Sequence, residues 1–263
     1  APTGQTPTLT KNVDNTWTAT MPSGQVSVFG QADGSGLAYL THTYNGMSAK
    51  PTYELSDGRL VRATDSVSTD TAVNIHYAGS GACPKPPSGF VDTPKGMLCS
   101  ITYPDESSTS FFYLTDAANN PLLARIVDYP DTQDSKASVT DIGYDQAPRI
   151  VSIRQPLAAS AQASGARTDA AQLLTTVSYD ASGRAQTITK PAATAGAVTP
   201  SYTISYSPNQ GQATVTNAGP KTTTGYSAKY TYDTKTLLPL STTDSRGLTT
   251  KQTWNSAADL LLT

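Results

Sequence analysis

The stretch VSYDASGRAQTIT, Val177–Thr189, decides the reading of this chain. It opens as a β-type run, breaks at Asp180-Ala181-Ser182-Gly183, and resumes after Arg184 with Gln186 and Ile188 alternating against Thr187 and Thr189. Asp at the first position and Gly at the fourth suit a type I turn closed by a left-handed residue, which makes a hairpin with a bulge. The Asp180 carboxylate is expected to accept backbone N–H groups inside the turn. Tyr179 ends the incoming strand, where its ring covers neighbours and its hydroxyl reaches a partner. The stretch reads as a hairpin corner.

The corner has relatives throughout the chain, and such self-similarity is the mark of a repeat architecture. Tyr144-Asp145-Gln146-Ala147-Pro148-Arg149 is one, and Tyr53-Glu54-Leu55-Ser56-Asp57-Gly58-Arg59 is a version longer by one residue. Tyr113-Leu114-Thr115-Asp116, Tyr206-Ser207-Pro208-Asn209-Gln210-Gly211, Tyr232-Asp233-Thr234-Lys235 and Trp254-Asn255-Ser256 continue the series, the last with Trp in the Tyr place. From Tyr113 onward successive copies lie 31, 35, 27, 26 and 22 residues apart. The longer gaps hold Ala/Ser/Gly/Thr segments at 158–172 and 192–198, read as loops between hairpins, the first able to form a short helix. Hairpins are marginal alone, so the copies are expected to stack into one extended antiparallel sheet. The fold class is therefore all-β, built of antiparallel hairpin repeats over residues 51–263. Residues 1–50 read as a β-rich leading or capping segment, with a hairpin at Trp17–Phe29 turning at Pro22-Ser23-Gly24 and a further strand at Ser35–Thr41.

Composition agrees. Charged residues make up 14% of the 263, and Glu occurs twice, as Glu54 and Glu106, which leaves little to build charge-paired surface helices. Thr and Tyr favour half-buried pleated surfaces. A net charge of -2 with no basic cluster argues against nucleic acid. No apolar run has membrane-spanning length. No signal peptide is present, and Ala1 reads as a mature terminus or an artificial boundary.

Cys83 and Cys99 are the two cysteines and bracket a Pro- and Gly-containing loop. A disulfide is expected, two free buried thiols being the alternative; closing a loop of this length adds roughly 3 kcal/mol in the chain-entropy model. Such a bond points to an oxidising, extracellular setting.

The repeated Y-D-x-x-G-R pattern followed by a β-run resembles the YD repeat of the RHS (rearrangement hot spot) and teneurin families. The residues that carry the resemblance are Tyr179, Asp180, Gly183 and Arg184; Tyr144, Asp145 and Arg149; and Tyr53, Gly58 and Arg59. Weaker copies stand at Tyr113, Tyr206, Tyr232 with Asp233, and Trp254. Ile101-Thr102-Tyr103-Pro104-Asp105-Glu106-Ser107 is similar to the family's I-T-x-P-D-G-S pattern, with Glu106 in the Gly place. Pro148 also stands where the motif has Gly. Because the proline ring fixes φ near −65°, that corner is expected to use a different turn. The resemblance covers residues 50–263 and implies a sheet that coils into a spiral shell. In bacterial members that shell encloses a C-terminal toxin; in teneurins it belongs to an adhesion ectodomain. The resemblance implies a secreted, non-enzymatic scaffold without cofactors, part of a longer chain whose intact form shields or delivers a toxin domain. Its partners would be the rest of that chain and the enclosed domain. A second reading is an adhesion or carbohydrate-binding module that presents Tyr-rich sheet faces to a cell-surface glycan or protein.

Motifs for catalysis are sparse. His42 and His76 are isolated in strand-like runs beside Tyr and read as packing residues. G-x-S-x-G, H-E-x-x-H and phosphate-binding glycine motifs are absent, and Gly34-Ser35-Gly36 and Gly79-Ser80-Gly81 read as turns. With two Glu and most Asp at turns, a carboxylate pair for glycoside hydrolysis is disfavoured. Asp128, Asp131 and Asp134 bring oxygens close enough together to suggest calcium, without the spacing of an EF-hand loop, and a solvated turn is the favoured reading.

Overall fold

The computed structural model describes residues 6–45, 51–56, 58–65, 71–79, 83–130, 136–218 and 226–255. The chain divides into two compact units, 1–138 and 139–263. The first contains β1 (Thr8–Lys11), β2 (Trp17–Thr20), β3 (Gln25–Phe29), β4 (Leu40–Asn45), β5 (Thr52–Ser56), β6 (Arg59–Thr64), β7 (Ala72–Tyr77), β8 (Leu98–Thr102), β9 (Ser108–Thr115) and β10 (Pro121–Tyr129). Each strand pairs antiparallel with the next in sequence. The second contains β11 (Ser138–Tyr144), β12 (Ile150–Arg154), β13 (Thr175–Tyr179), β14 (Ala185–Thr189), β15 (Ser201–Ser207), β16 (Gln212–Ala218), β17 (Tyr226–Tyr232), β18 (Pro239–Thr243) and β19 (Thr249–Lys251), again paired consecutively. The all-β antiparallel expectation is borne out.

Among the described residues the single α-helix is α1 (Pro156–Ala163), inside the Ala/Ser-rich gap, followed by a 3-10 turn at Ala170–Leu173. Its start uses proline at the first turn, where no N–H is missed. Ala158 in this helix, Leu173 in the 3-10 turn and Ala192 are each buried. The expected strand at Ser35–Thr41 lies later than its composition suggested. Gly36, at φ 84, belongs to a corner spanning Asp33–Leu37, and the strand starts at Leu40.

Apolar burial is thin. Ten apolar residues are buried among the described residues, against fifteen large apolar side chains that are exposed. The densest cluster lies in the first unit, where the loop after Cys83 covers β8–β10. Cys99, Phe112, Tyr113, Ala124 and Val127 are buried there. Cys83 and Cys99 are disulfide-bonded with Cα atoms 5.4 Å apart. The Val91 N–H donates to the Tyr113 carbonyl at 3.0 Å, and the Phe90 and Phe112 rings sit 6.0 Å apart. The disulfide thus ties down a Pro-rich segment whose strand pairing is the isolated Val91–Tyr113 bridge.

Register in the second unit separates two chemistries. Ile153, Thr175, Val177, Ile188, Tyr202, Ile204, Tyr206, Val215 and Ala228 share one face through direct pairing and the period of two. On the opposite face Ser178, Thr187, Thr203, Thr216 and Ser227 form one continuous cross-strand row. Hydroxyls on this face bond across strands, as Thr231 Oγ1 with Ser241 Oγ at 2.6 Å and Thr243 Oγ1 with Thr249 Oγ1 at 2.8 Å.

Candidate functional site

The feature that recurs is the corner, and its geometry is the same in copy after copy. In Asp180–Arg184 the Asp180 N–H donates to the Arg184 carbonyl at 2.8 Å, and the Gly183 N–H to the Asp180 carbonyl at 2.9 Å. Gly183 is left-handed, at φ 79. Asp180 Oδ1 accepts the N–H groups of Ser182 and Arg184, both at 2.9 Å, and Oδ2 accepts from Arg184 Nε at 2.8 Å. The frame returns at Asp33–Leu37, Asp116–Asn120, Asp145–Arg149 and Asp244–Leu248. At Asn12–Thr16, Met21–Gln25 and Tyr103–Ser107 the side-chain acceptor moves to the third position, as Asp14, Ser23 and Asp105. Asp233–Leu238 is one residue longer, and Leu237 takes the left-handed place.

Two positions differ from expectation. The Pro148 corner keeps the common turn: the Asp145 N–H donates to the Arg149 carbonyl at 3.0 Å, and Asp145 Oδ1 takes the N–H groups of Ala147 and Arg149. Pro148 has no N–H, so the inner bond that Gly183 makes in its own corner is left out here. Arg149 Nε, 2.8 Å from Asp145 Oδ2, completes the aspartate frame. Glu106 takes the left-handed place, at φ 66, inside an intact frame.

The corner carboxylates titrate low. The Arg184 N–H and guanidinium hold Asp180 below its ordinary value, and the Arg149 guanidinium, then its N–H, does so for Asp145. Asp116, Asp233 and Asp244 are lowered by hydrogen bonds of the same kind.

Two of these corners also reach the next repeat. The Arg149 guanidinium lies 4.4 Å from the Tyr179 ring centre, and Arg184 lies 4.5 Å from that of Tyr206. Tyr179 Oη donates to the Ile150 carbonyl at 2.7 Å, and Tyr206 Oη to the Ala185 carbonyl at 2.9 Å. Tyr113 Oη donates to Leu98, and Trp254 Nε1 to Pro239, at 2.7 and 2.8 Å. These four acceptors share one place. Ile150, Ala185, Leu98 and Pro239 each oppose an aromatic residue, Tyr144, Tyr179, Tyr77 and Tyr232, at a register shift. A bulge interrupts the ladder and leaves a residue unpaired. The next repeat's aromatic donor meets the carbonyl beside it. So Tyr or Trp, Arg and the bulge make one inter-repeat rung.

Other singled-out residues are placed as follows. Tyr53 lies within β5 opposite Ala63, while Gly58, at φ 71, precedes Arg59, which starts β6 opposite Ser56; Asp57 lies outside the described residues. Tyr113 is buried, which raises its hydroxyl pKa. His76 Nε2 faces Thr102 Oγ1 at 3.3 Å, and His42 Nδ1 faces Thr41 Oγ1 at 3.2 Å. Asp128 accepts from Thr109 Oγ1 at 2.7 Å, and its sequence partners Asp131 and Asp134 lie outside the described residues. Among the described residues no three His, Cys, Asp or Glu side chains converge on a metal position. No described helix is long and apolar enough to cross a membrane. Sequence reading missed the Asp244 corner, whose D-x-x-G signal is present, and Tyr77, whose following segment has no such signal.

No family model matches this chain, and no curated protein matches it. Solved structures do. A chain in the crystal structure of TcdB2-TccC3-TEV aligns at 14% identity over 95% of this chain and 12% of its own, with TM-score 0.38. A chain of TcdB2-TccC3 without hypervariable C-terminal region aligns at 10% identity over 97% of this chain and 16% of its own, TM-score 0.39. A chain of the Photorhabdus luminescens Tc holotoxin pore, carrying a TccC3 mutation, aligns at 15% identity over 94% of this chain and 13% of its own, TM-score 0.38. This chain thus spans less than a fifth of the length of each structure it resembles.

Proposed function

We propose that this chain is a structural, non-enzymatic segment of a longer, secreted YD-repeat protein of the RHS type, whose intact form shields or delivers a C-terminal toxin domain. The observation that carries the reading is the inter-repeat rung. Arg149 on Tyr179 and Arg184 on Tyr206 spend the motif's polar groups on the neighbouring repeat, leaving the corner no reactive group to offer a substrate. Thin apolar burial adds support, because a sheet with most of its surface uncovered suits a wall. Limited proteolysis of the natural chain that contains this segment tests the reading. The downstream domain is expected to resist protease in the intact chain and to be digested when produced alone. Equal digestion in both forms would contradict it.

A second reading, an adhesion or carbohydrate-binding module, has one observation in its favour. Tyr226 and Tyr230 share a face of β17 and are 50% and 40% exposed, available to stack on sugar rings. Glycan binding that Tyr226→Ala and Tyr230→Ala abolish would favour this reading.

A further inference from the structure

Arg59 repeats the geometry of Arg149 and Arg184 without their counter-ion. Its guanidinium lies 5.6 Å from the Tyr77 ring centre, as the other two lie on Tyr179 and Tyr206. Arg149 and Arg184 each pair with the aspartate four residues earlier, at 2.7 Å. Four residues before Arg59 stands Leu55, and among the described residues no carboxylate pairs with Arg59. Gly96, which has no side chain, leaves room for the guanidinium: a Cβ there would lie 2.8 and 2.9 Å from its two terminal nitrogens. Lys95 Cγ lies at an ordinary contact distance, 3.7 Å, from where a Cβ on Gly79 would stand. Both cations and Ser56 line a recess of about 190 Å³. The adjoining recess, about 430 Å³, shares Ala78 and Gly79 with it and adds Lys85; among the described residues Asp92 is the one carboxylate lining either.

We propose that the Arg59–Lys95 recess is a binding site for a tetrahedral oxyanion, the phosphate or sulfate group of an ester. Arginine supplies a planar fork of donors and lysine a point charge, a pairing suited to several oxygens around one centre. Two cations lining one recess repel each other, and a bound anion offsets that repulsion. The volume lies below the range of pockets that enclose whole ligands, so the site takes a charged headgroup and leaves the remainder of the ligand outside. The Tyr77 ring beside Arg59 restricts that side chain and lowers the entropy cost of ordering it.

The test is titration of the protein with inorganic phosphate and, separately, inorganic sulfate, at constant ionic strength made up with chloride, followed by calorimetry and by the amide resonances of Gly79 and Gly96. Saturable binding is expected with one or both, and the tighter of the two names the ester. Arg59→Gln and Lys95→Gln are each expected to weaken it at least tenfold, and Arg149→Gln to leave it unchanged. Lys95 lies outside the strands, so its variant answers the question if Arg59→Gln fails to fold. Absence of saturable binding, or equal affinity in Lys95→Gln and parent, overturns the proposal.

Discussion

At Gly183 it is the backbone angle, not the surrounding space, that demands glycine. Its φ is 79, while the nearest atom to an added Cβ, Arg149 Nη1, is at an ordinary 3.5 Å. At Gly211 both constraints act: φ is 59, and an added Cβ would fall on the Tyr232 carbonyl oxygen. Gly183→Ala should therefore cost about 1–2 kcal/mol in urea unfolding, the left-handed penalty alone. Gly211→Ala should cost more, because a backbone atom has to move. Equal costs would show that the carbonyl yields freely. The roles of Asp180 and Gly183 were legible in the sequence because a five-residue turn is local. That of Arg184 was not: the ring it covers belongs to Tyr206, 22 residues on, and nothing near Arg184 points to it. The corner at Pro148 keeps the aspartate bonds of the other copies, from the Ala147 and Arg149 N–H groups and from the Arg149 guanidinium to Asp145, which its proline did not suggest.

On the scale of the strand, β15 shows what the alternation does. Tyr202, Ile204 and Tyr206 are half-buried, while Thr203, Ser205 and Ser207 on the other face are exposed. Ile204→Asp places a charge among Val215 and its neighbours and should destabilise by about 2–4 kcal/mol. Thr203→Asp, on the hydroxyl face, should change stability by less than about 1 kcal/mol. Comparable losses in thermal unfolding would mean that the Ser/Thr face is covered too. The strand ends at Asp145, Asp180, Pro208 and Asp233 were legible because a corner marks each, whereas the β18–β19 corner at Asp244 was missed. Composition misplaced β4, since Gly34-Ser35-Gly36 belongs to a corner whose Asp33 carboxylate takes the Ser35 and Leu37 N–H groups. The packing of the 83–97 loop on β9 also lay beyond the sequence, because proline spacing does not say which strand a loop will cover.

For the whole molecule the corners act together in acid. Eight corner aspartates, Asp14, Asp33, Asp105, Asp116, Asp145, Asp180, Asp233 and Asp244, have pKa values lowered from 3.8 by hydrogen bonds they make in the folded state. A lowered folded value means stability that is fully present above the unfolded pKa and is lost as pH falls through the folded one. The urea midpoint should hold from about pH 7 to 5 and drop below about pH 4. A variant with Asn at 145, 180 and 244 should start lower and drop less. An identical drop would assign acid unfolding to general charge repulsion.

At Arg149 and Arg184 arginine on an aromatic ring locks one repeat to the next. A double-mutant cycle on Arg184→Gln and Tyr206→Leu, read from urea unfolding, measures that lock. A coupling of about 0.5–1 kcal/mol is expected between them, and none between Arg184 and the exposed Tyr230. Strict additivity of Arg184→Gln and Tyr206→Leu would contradict it.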